Sequence, residues 1–242
     1  MAIKRLLRKS IDDDRAVRRD KEKTKRKLIQ SAGVVLRVKG LNNTTSAEIA
    51  RHAGVDRKLI NRYFTNLQGL LEAYVIQQDY WLTYARELRK EPGSVRANHI
   101  REICISLLVN QFTYFYENVP MQNLIMMEIC SKTALMSSIS RIREDRGAEF
   151  IKAAENYFVG TGIDIRAIAT IAIAGTYYSV LHSRNNDSTF CGLNLRDLQD
   201  RERIREGLRS MITLAFDAAA AKKSVEQLKP PGHERARNYG IP

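Results

Sequence analysis

Ala47–Asn66, AEIARHAGVDRKLINRYFTN, is the stretch whose reading decides the fold. Ile49, Ala50, Ala53, Gly54, Val55, Ile60 and Tyr63 fall where two short helices, joined by a tight turn, need small or apolar groups to pack. The residues between them are mostly polar, and several are basic. This is the sequence form of a helix-turn-helix, whose second helix enters the DNA major groove. Thr45 followed by Glu48 is a capping box that opens the first helix, and Asp56 stands where it can cap the second. Gly54 supplies the backbone freedom of the turn.

Charge points the same way. The chain has 40 Lys+Arg against 27 Asp+Glu, a net of +13. Residues 1–66 hold 18 of the bases and 7 of the acids, a net of +11. Residues 222–242 carry +3, which leaves −1 for the 155 residues between. Basic charge gathered at the end that holds the motif, on a neutral body, is the footprint of a DNA-binding head.

Apolar residues make up 44% of the 242 and charged residues 28%, ordinary for a soluble globular protein of one large or two modest domains. The opening MAIKRLLRKSIDDD leads into no apolar run of signal-peptide length. The least polar stretch, Ile165 to Val180, contains Arg166 and is too short to span a bilayer. These features predict no membrane association and a bacterial cytoplasmic location. Cys104, Cys130 and Cys191 lie far apart and read as reduced core residues. His52, His99, His182 and His233 are scattered, with no HExxH, GxSxG, P-loop or dinucleotide fingerprint. No acidic or histidine cluster has metal-ligand spacing. The expectation is therefore no enzyme, no cofactor and no metal.

Helical spacing recurs along the chain, and no stretch alternates over strand length, so the predicted fold is all-α. Four segments are expected: a basic arm and charged helix start over 1–23, a helix-turn-helix domain over 24–66, a helical effector-binding and dimerisation domain over 67–221, and a basic, disordered tail over 222–242. Ser10 with Asp13 signals a helix start, and that helix runs to Val38 before Lys39 and Gly40 close it. A long helix is predicted from Leu67 towards Lys90, with Leu71, Tyr74, Gln78, Trp81 and Ala85 on one face and Pro92–Gly93 as its break. Further helices are expected around Ile100 to Pro120, Leu124 to Ser137, Arg141 to Phe158, Asp164 to Arg184 and Arg196 to Ala220.

Residues 24–71 resemble the DNA-binding head of the TetR (tetracycline-repressor-like) family of bacterial transcriptional regulators. The likeness rests on Lys27-Leu28-Ile29, Gly40, Ile49-Ala50, Ala53-Gly54-Val55, Tyr63-Phe64 and Leu70-Leu71. GLNLRD, from Gly192 to Asp197 ahead of the final helix, is similar to many members as well. The resemblance implies a homodimeric regulator, most commonly a repressor, released or modulated by a small molecule in the second domain. It also implies that the last two helices form a four-helix interface with their mates. Two departures stand out: Asn61 occupies a position where members usually carry tyrosine, and Leu67 one where they carry a phosphate-binding lysine.

Residue roles follow from chemistry. Arg57 and Lys58, at the start of the second helix, can donate to guanine O6 and N7. Asn61, one turn on, can read adenine or hold a phosphate, and Arg62 and Tyr63 suit backbone contact. Thr45 and Ser46 offer hydroxyl and N–H donors to a phosphate at a helix N-terminus. Lys4, Arg5, Arg8 and Lys9 form an arm that can replace the missing backbone contacts through an adjacent minor groove. Each of these bases is otherwise a solvated charge.

In the body, Ala172, Gly175 and Ser179 form a small-residue face, and Ile204, Leu208, Met211, Ile212 and Ala215 an apolar stripe. Both suit a homodimer interface, or packing inside one subunit. Gln78, Trp81, Gln111, Phe115, Met126 and Cys130, with Phe112, Tyr114 and Met127 nearby in sequence, suit either a pocket for an apolar or aromatic effector or plain core. A buried Gln can simply bond a neighbouring carbonyl, and His182 reads as a satisfied interface histidine. Two rival functions stay open at this level: a helical protein-interaction adaptor without an operator, and a helical enzyme.

Overall fold

In the computed structural model, residues 2–41, 43–81, 99–130 and 132–227 are described, with backbone alone at 2–18, 146, 149, 226 and 227. They form nine helices and no strand, so the fold is all-α with a helix-turn-helix near its N-terminus. Helix α1 runs unbroken from Ala2 to Lys39, through a sequence free of proline and with no glycine before Gly33. Lys4, Arg5, Arg8 and Lys9 are thus part of α1, not of an arm ahead of it, and Ser10 lies inside the helix it was expected to cap. A run of Ile, Leu, Lys and Arg favours helix by itself, so the local cap signal had nothing to interrupt. Arg37 and Lys39 face the negative end of the dipole, and Gly40 (φ 74°) closes α1 with its N–H on the Leu36 carbonyl, 2.9 Å.

Three short helices pack behind it: α2, Ser46–Ala53; α3, Lys58–Phe64; and α4, Leu67–Gln78. Leu28, Ala32 and Leu36 of α1, Ile49 and Ala50 of α2, Ile60 of α3, and Leu70, Leu71, Tyr74 and Val75 of α4 share one buried core. Ala53, Val55 and Tyr63 pack against its edge. Close approach between elements explains two glycines that local spacing does not mark. A Cβ on Gly33 would overlap the buried Tyr74 ring, and one on Gly69 would overlap the Phe64 carbonyl oxygen.

The chain divides into two compact units, Met1–Glu87 with Glu117–Arg146, and Leu88–Tyr116 with Gly147–Pro242. The first is larger than the 24–66 domain expected. Leu124 of α6 (Val119–Cys130) and Leu135, Met136 and Ile139 of α7 (Ala134–Phe158) join the same core. Helix α4 ends at Asp79 (φ −79°, ψ 120°), so the helix expected from Leu67 is interrupted there; Tyr80 and Trp81 are helical again. Ala85, Lys90, Pro92 and Gly93 lie outside the described residues. Asp79 is wholly buried, and the Arg143 guanidinium donates to its Oδ2 through Nε (2.9 Å) and Nη2 (2.7 Å). Nη1 of Arg143 reaches both oxygens of Glu128, at 3.0 and 2.8 Å. One arginine therefore joins the end of α4 to α6 and α7.

The second unit holds α5 (Ile100–Glu117, up to Tyr116), the end of α7, α8 (Ile165–Asn185) and α9 (Leu198–Gln227). Helices α5 and α9 run antiparallel and are stitched by arginines. Arg101 donates to the Thr213 carbonyl (3.1 Å) and to Asp217 (2.6 Å). Arg205 donates to the Thr113 hydroxyl (3.1 Å), and Arg201 to the Tyr116 hydroxyl (3.1 Å). Tyr157, Phe158 and Phe216 form an aromatic cluster with centroids 4.7 to 5.4 Å apart. Between α8 and α9, Cys191 (φ 52°) and Gly192 (φ 74°) form a tight turn closed by paired bonds between Phe190 and Leu193.

Four expected interface residues face inward. Ala172, Ser179, Leu208 and Ile212 are buried within the chain, as is Ala215, while Ile204 is half-buried and Gly175 and Met211 are exposed. The exposed apolar set is different: Ile171 and Tyr178 on α8, and Gly207, Met211, Leu214, Ala218, Ala221 and Val225 on α9. The α9 set steps by four and three residues, and it lies roughly 120° around the helix from the buried stripe. Helix α9 is apolar on two faces, and spacing alone does not say which one meets its own chain. Of the cysteines, only Cys104 is half-buried; Cys130, ending α6, and Cys191, in the turn, are exposed. His182 is not the satisfied histidine expected: its Nδ1 has no hydrogen-bond partner among the described residues, and its ring lies among Tyr178 and Phe190.

Gly69→Ala is expected to destabilise the protein by about 1–3 kcal/mol, since backbone cannot rotate away from the added methyl. Gly147→Ala, with open space at its Cβ, should stabilise it by about 0.5–1 kcal/mol. Urea unfolding of both variants checks the opposite signs. In the same assay Arg143→Met should destabilise the protein, because it takes the guanidinium away from the wholly buried Asp79 carboxylate, and Asp79→Asn in that background should restore part of the loss.

Candidate nucleic-acid interface

Seven residues are too few to make a stable helix alone, so α3 depends on what holds it. Ile60 is fully buried in the head core, with Leu59, Tyr63 and Phe64 half-buried beside it. Its opposite side is left to Arg57, Lys58, Asn61 and Arg62, all exposed. Asp56 accepts the Lys58 N–H at 2.7 Å, so it satisfies an orphan donor of α3 even though Arg57 is the residue that flanks the helix. The outward face carries three bases and no acid.

The turn before α3 follows from Gly54. At φ 64°, ψ 40° it closes α2 in the left-handed region, and Val55 N–H returns to the Ala50 carbonyl at 3.1 Å. A side chain at Gly54 would be strained in that conformation. At the other end of α2, Thr45 Oγ1 accepts the Glu48 N–H at 3.3 Å, as the capping box requires. Thr45 is exposed and Ser46 half-buried, both at the positive end of α2. Lys39, ending α1, forms an ion pair with Glu48. The hydrogen bond from Lys39 holds the Glu48 carboxyl below its ordinary range.

Two further residues near this surface have no marked role in the sequence pattern. Lys21 of α1 lies 5.9 Å from the Tyr63 ring centroid, which brings another base beside α3. Ser31 Oγ meets His52 Nδ1 at 3.0 Å and ties α1 to α2. The basic run over residues 21–27 hints at the first, and nothing local marks the second. Leu67 packs against the head core, and Asn66 Oδ1 caps α4 on the Gly69 N–H at 2.9 Å. Where a lysine would reach outward, this chain commits the side chain to packing. Tyr63 likewise divides its surface between core and solvent.

The effector candidates divide between the two units. In the first, Gln78, Trp81 and Met126 are half-buried, with Trp81 edge-on to Tyr80 at 5.5 Å, and Cys130 is exposed. In the second, Gln111 and Phe115 are buried, and Phe115 lies 4.6 Å from the Tyr177 ring. Among the described residues no group of His, Cys, Asp or Glu is placed to hold a metal ion, and no helix is long and apolar enough to cross a membrane.

A capped, core-anchored short helix that presents three bases and an amide defines a helix-turn-helix protein. The tetR family of bacterial regulatory proteins matches the chain over residues 28–74, from Leu28 of α1 to Tyr74 of α4. The chain is 25% identical over 119 residues to the probable HTH-type transcriptional regulator YttP of Bacillus subtilis (strain 168), covering 49% of this chain and 56% of that protein. It is 38% identical over 65 residues to the HTH-type transcriptional regulator BetI of Proteus mirabilis (strain HI4320), covering 27% and 32%. The matches thus span about half and a third of these curated relatives. NalD, the secondary repressor of the MexAB-OprM multidrug efflux pump in Pseudomonas aeruginosa, shares the fold with a TM-score of 0.55 at 20% identity, over 81% of this chain and 96% of NalD. Residues 28–74 thus carry a head of the tetR-family type.

Because the folded Glu48 carboxyl lies below its ordinary value of 4.5, the pair with Lys39 supports the fold above that pH. The support is lost as pH falls through the lower folded value. Lys39→Met should therefore be less stable than wild type at neutral pH, modestly because the pair is exposed, and the difference should close as pH falls below 4.5 and through the lower folded value. Unfolding curves for the two proteins across about pH 3–7 check this.

Proposed function

We propose that the chain is a transcriptional regulator that binds a two-fold symmetric operator as a homodimer and acts most commonly as a repressor. The observation that carries the reading is the outward face of α3, where Arg57, Lys58, Asn61 and Arg62 stand exposed over a buried Ile60. Arg57 and Lys58 read base edges, Asn61 reads adenine or holds phosphate, and Arg62, Tyr63, Thr45 and Ser46 contact backbone. The net +11 of residues 1–66 draws the head to the polyanion and makes binding salt-dependent. Lys4, Arg5, Arg8 and Lys9, carried on the N-terminal end of α1, extend that basic surface and take over the phosphate-binding role that Leu67 cannot fill. The location that fits this role is the bacterial cytoplasm.

A two-fold site needs two heads. The occupant proposed for the exposed seam of α8 and α9 is a second copy of this chain. Gly175, Gly207, Ala218 and Ala221 let helices approach closely, while Ile171, Tyr178, Met211 and Leu214 supply apolar area. The regular four-three stepping on α9 suits helix-on-helix packing of this kind. The second unit is the proposed seat of effector response, as in a regulator whose sensing and reading parts are separate. NalD, a repressor of a drug-efflux pump by its description, supports a repressor reading without naming an effector for this chain.

Selection of bound fragments from random duplex DNA tests the whole reading. An inverted repeat with half-sites one helical turn apart, or a multiple of it, is expected; enrichment of no sequence would favour the adaptor reading instead. On the selected duplex, Arg57→Ala should cost about 1–3 kcal/mol and relax one base pair in each half-site. Arg62→Ala should weaken all duplexes about equally and lower the salt slope by about one. Deleting residues 1–10 should also flatten that slope, and an unchanged slope would remove the N-terminal bases from the interface.

A further inference from the structure

Gln111 of α5 is 1% exposed, and neither its Oε1 nor its Nε2 has a hydrogen-bond partner among the described residues. A buried Gln serving only as core would bond a neighbouring carbonyl, as the helical hydroxyls of this unit do. Thr113 donates to the Val109 carbonyl at 3.1 Å, and Ser179 to the Gly175 carbonyl at 2.7 Å. Gln111 does not. Leaving both ends of a buried amide unpaired works against folding, so its presence points to a partner supplied from outside the chain.

The surroundings define that partner. On the same face of α5 stand Ile100, Cys104, Leu107, Leu108 and Phe115, all buried or half-buried. Burial raises the Cys104 thiol to about 11, which keeps it neutral. The arginines on or beside α5 are engaged by other groups. Arg101 binds Asp217, Arg201 binds Tyr116 and the Leu195 carbonyl, and Arg205 binds Thr113 and Glu202. Among the described residues, no free charge on the Gln111 face can balance a carboxylate or an ammonium, and a buried ion without one is strongly disfavoured. A carboxamide offers one acceptor and one donor side by side in a plane. Its complement is a neutral group with donor and acceptor adjacent.

We propose that Gln111 is the polar anchor of a site in the second unit for an uncharged amide- or lactam-type ligand with an apolar, aromatic body. This deepens the proposed effector response and rests on it. Two hydrogen bonds to Gln111 fix the ligand's polar edge, and the Leu107, Leu108 and Phe115 side chains receive its ring system.

The test compares wild type with Gln111→Leu, and with Gln111→Met as a second apolar replacement, by melting and by titration. The probes are 2-quinolone, which has the donor–acceptor edge, and N-methyl-2-quinolone, which lacks the donor. Without probe, the apolar variants should melt above wild type, because an unpaired buried amide has been removed. Wild type should bind 2-quinolone at least about tenfold more tightly than either variant does, and N-methyl-2-quinolone, which keeps only the acceptor, should show a smaller preference for wild type. Variants that both melt lower would overturn the proposal, as would equal binding of 2-quinolone by wild type and variants, including none by any. Duplex binding measured in parallel separates the two readings. Both variants should keep it, and its absence from wild type would sink the regulator assignment without touching the Gln111 result.

Discussion

Burial of Ile60 in the core it shares with α1, α2 and α4 is the contact on which the reading surface depends. Helix α3 has only two turns, and its own hydrogen bonds cannot hold it. Removing one branched apolar side chain from water contributes about 1.5–3 kcal/mol, a large share of the marginal stability of a small helical unit. Because Ile60 points inward, geometry sends Arg57, Lys58, Asn61 and Arg62 outward. Gly54 and the Asp56 and Thr45 caps then fix the angle at which that face is presented. The chemistry of recognition follows from a packing fact.

The same core reaches further than the motif. Leu124, Leu135, Met136 and Ile139 share it with Leu28 and Ile49, so the head is not an independent bead on a linker. Arg143 adds a charged joint by gripping a wholly buried Asp79 at the end of α4. A charge held in that way ties α4 firmly to α6 and α7, and α4 is one of the helices against which α3 rests. In the second unit the arginines of α5 and α9 play a comparable part closer to solvent. What they leave bare is an apolar seam on α9 and an unpaired amide on α5.

Local chemistry makes the head legible in the sequence. Capping boxes, a turn glycine and apolar spacing act over a few residues, and those of the motif appear in the structure where their spacing put them. Features with distant causes are not legible. The Asp79 carboxylate at the end of α4 is held by an arginine 64 residues away, and Gly33 and Gly69 matter because of Tyr74 and the Phe64 carbonyl. The faces of α8 and α9 are ambiguous for a related reason. Leu208 and Ile212 sit one residue from Gly207 and Met211, and both stripes are apolar, so only the folded chain tells inside from outside. Ser10 misleads because its capping signal lies within residues that favour helix anyway. Gln111 is visible as a polar break in an apolar face, but that its amide lacks a partner cannot be read from the sequence.

The most direct measurement of the central claim is duplex affinity of Ile60→Ala, a change that removes no charge and touches no exposed side chain. Loss of the Ile60 side chain should cost about 2–5 kcal/mol of head stability. Specific binding should fall at least about tenfold, while weak, salt-sensitive attraction to any duplex persists through the unchanged basic residues. Undiminished specific affinity in a protein whose head is measurably destabilised would contradict the claim that this buried contact positions the reading face.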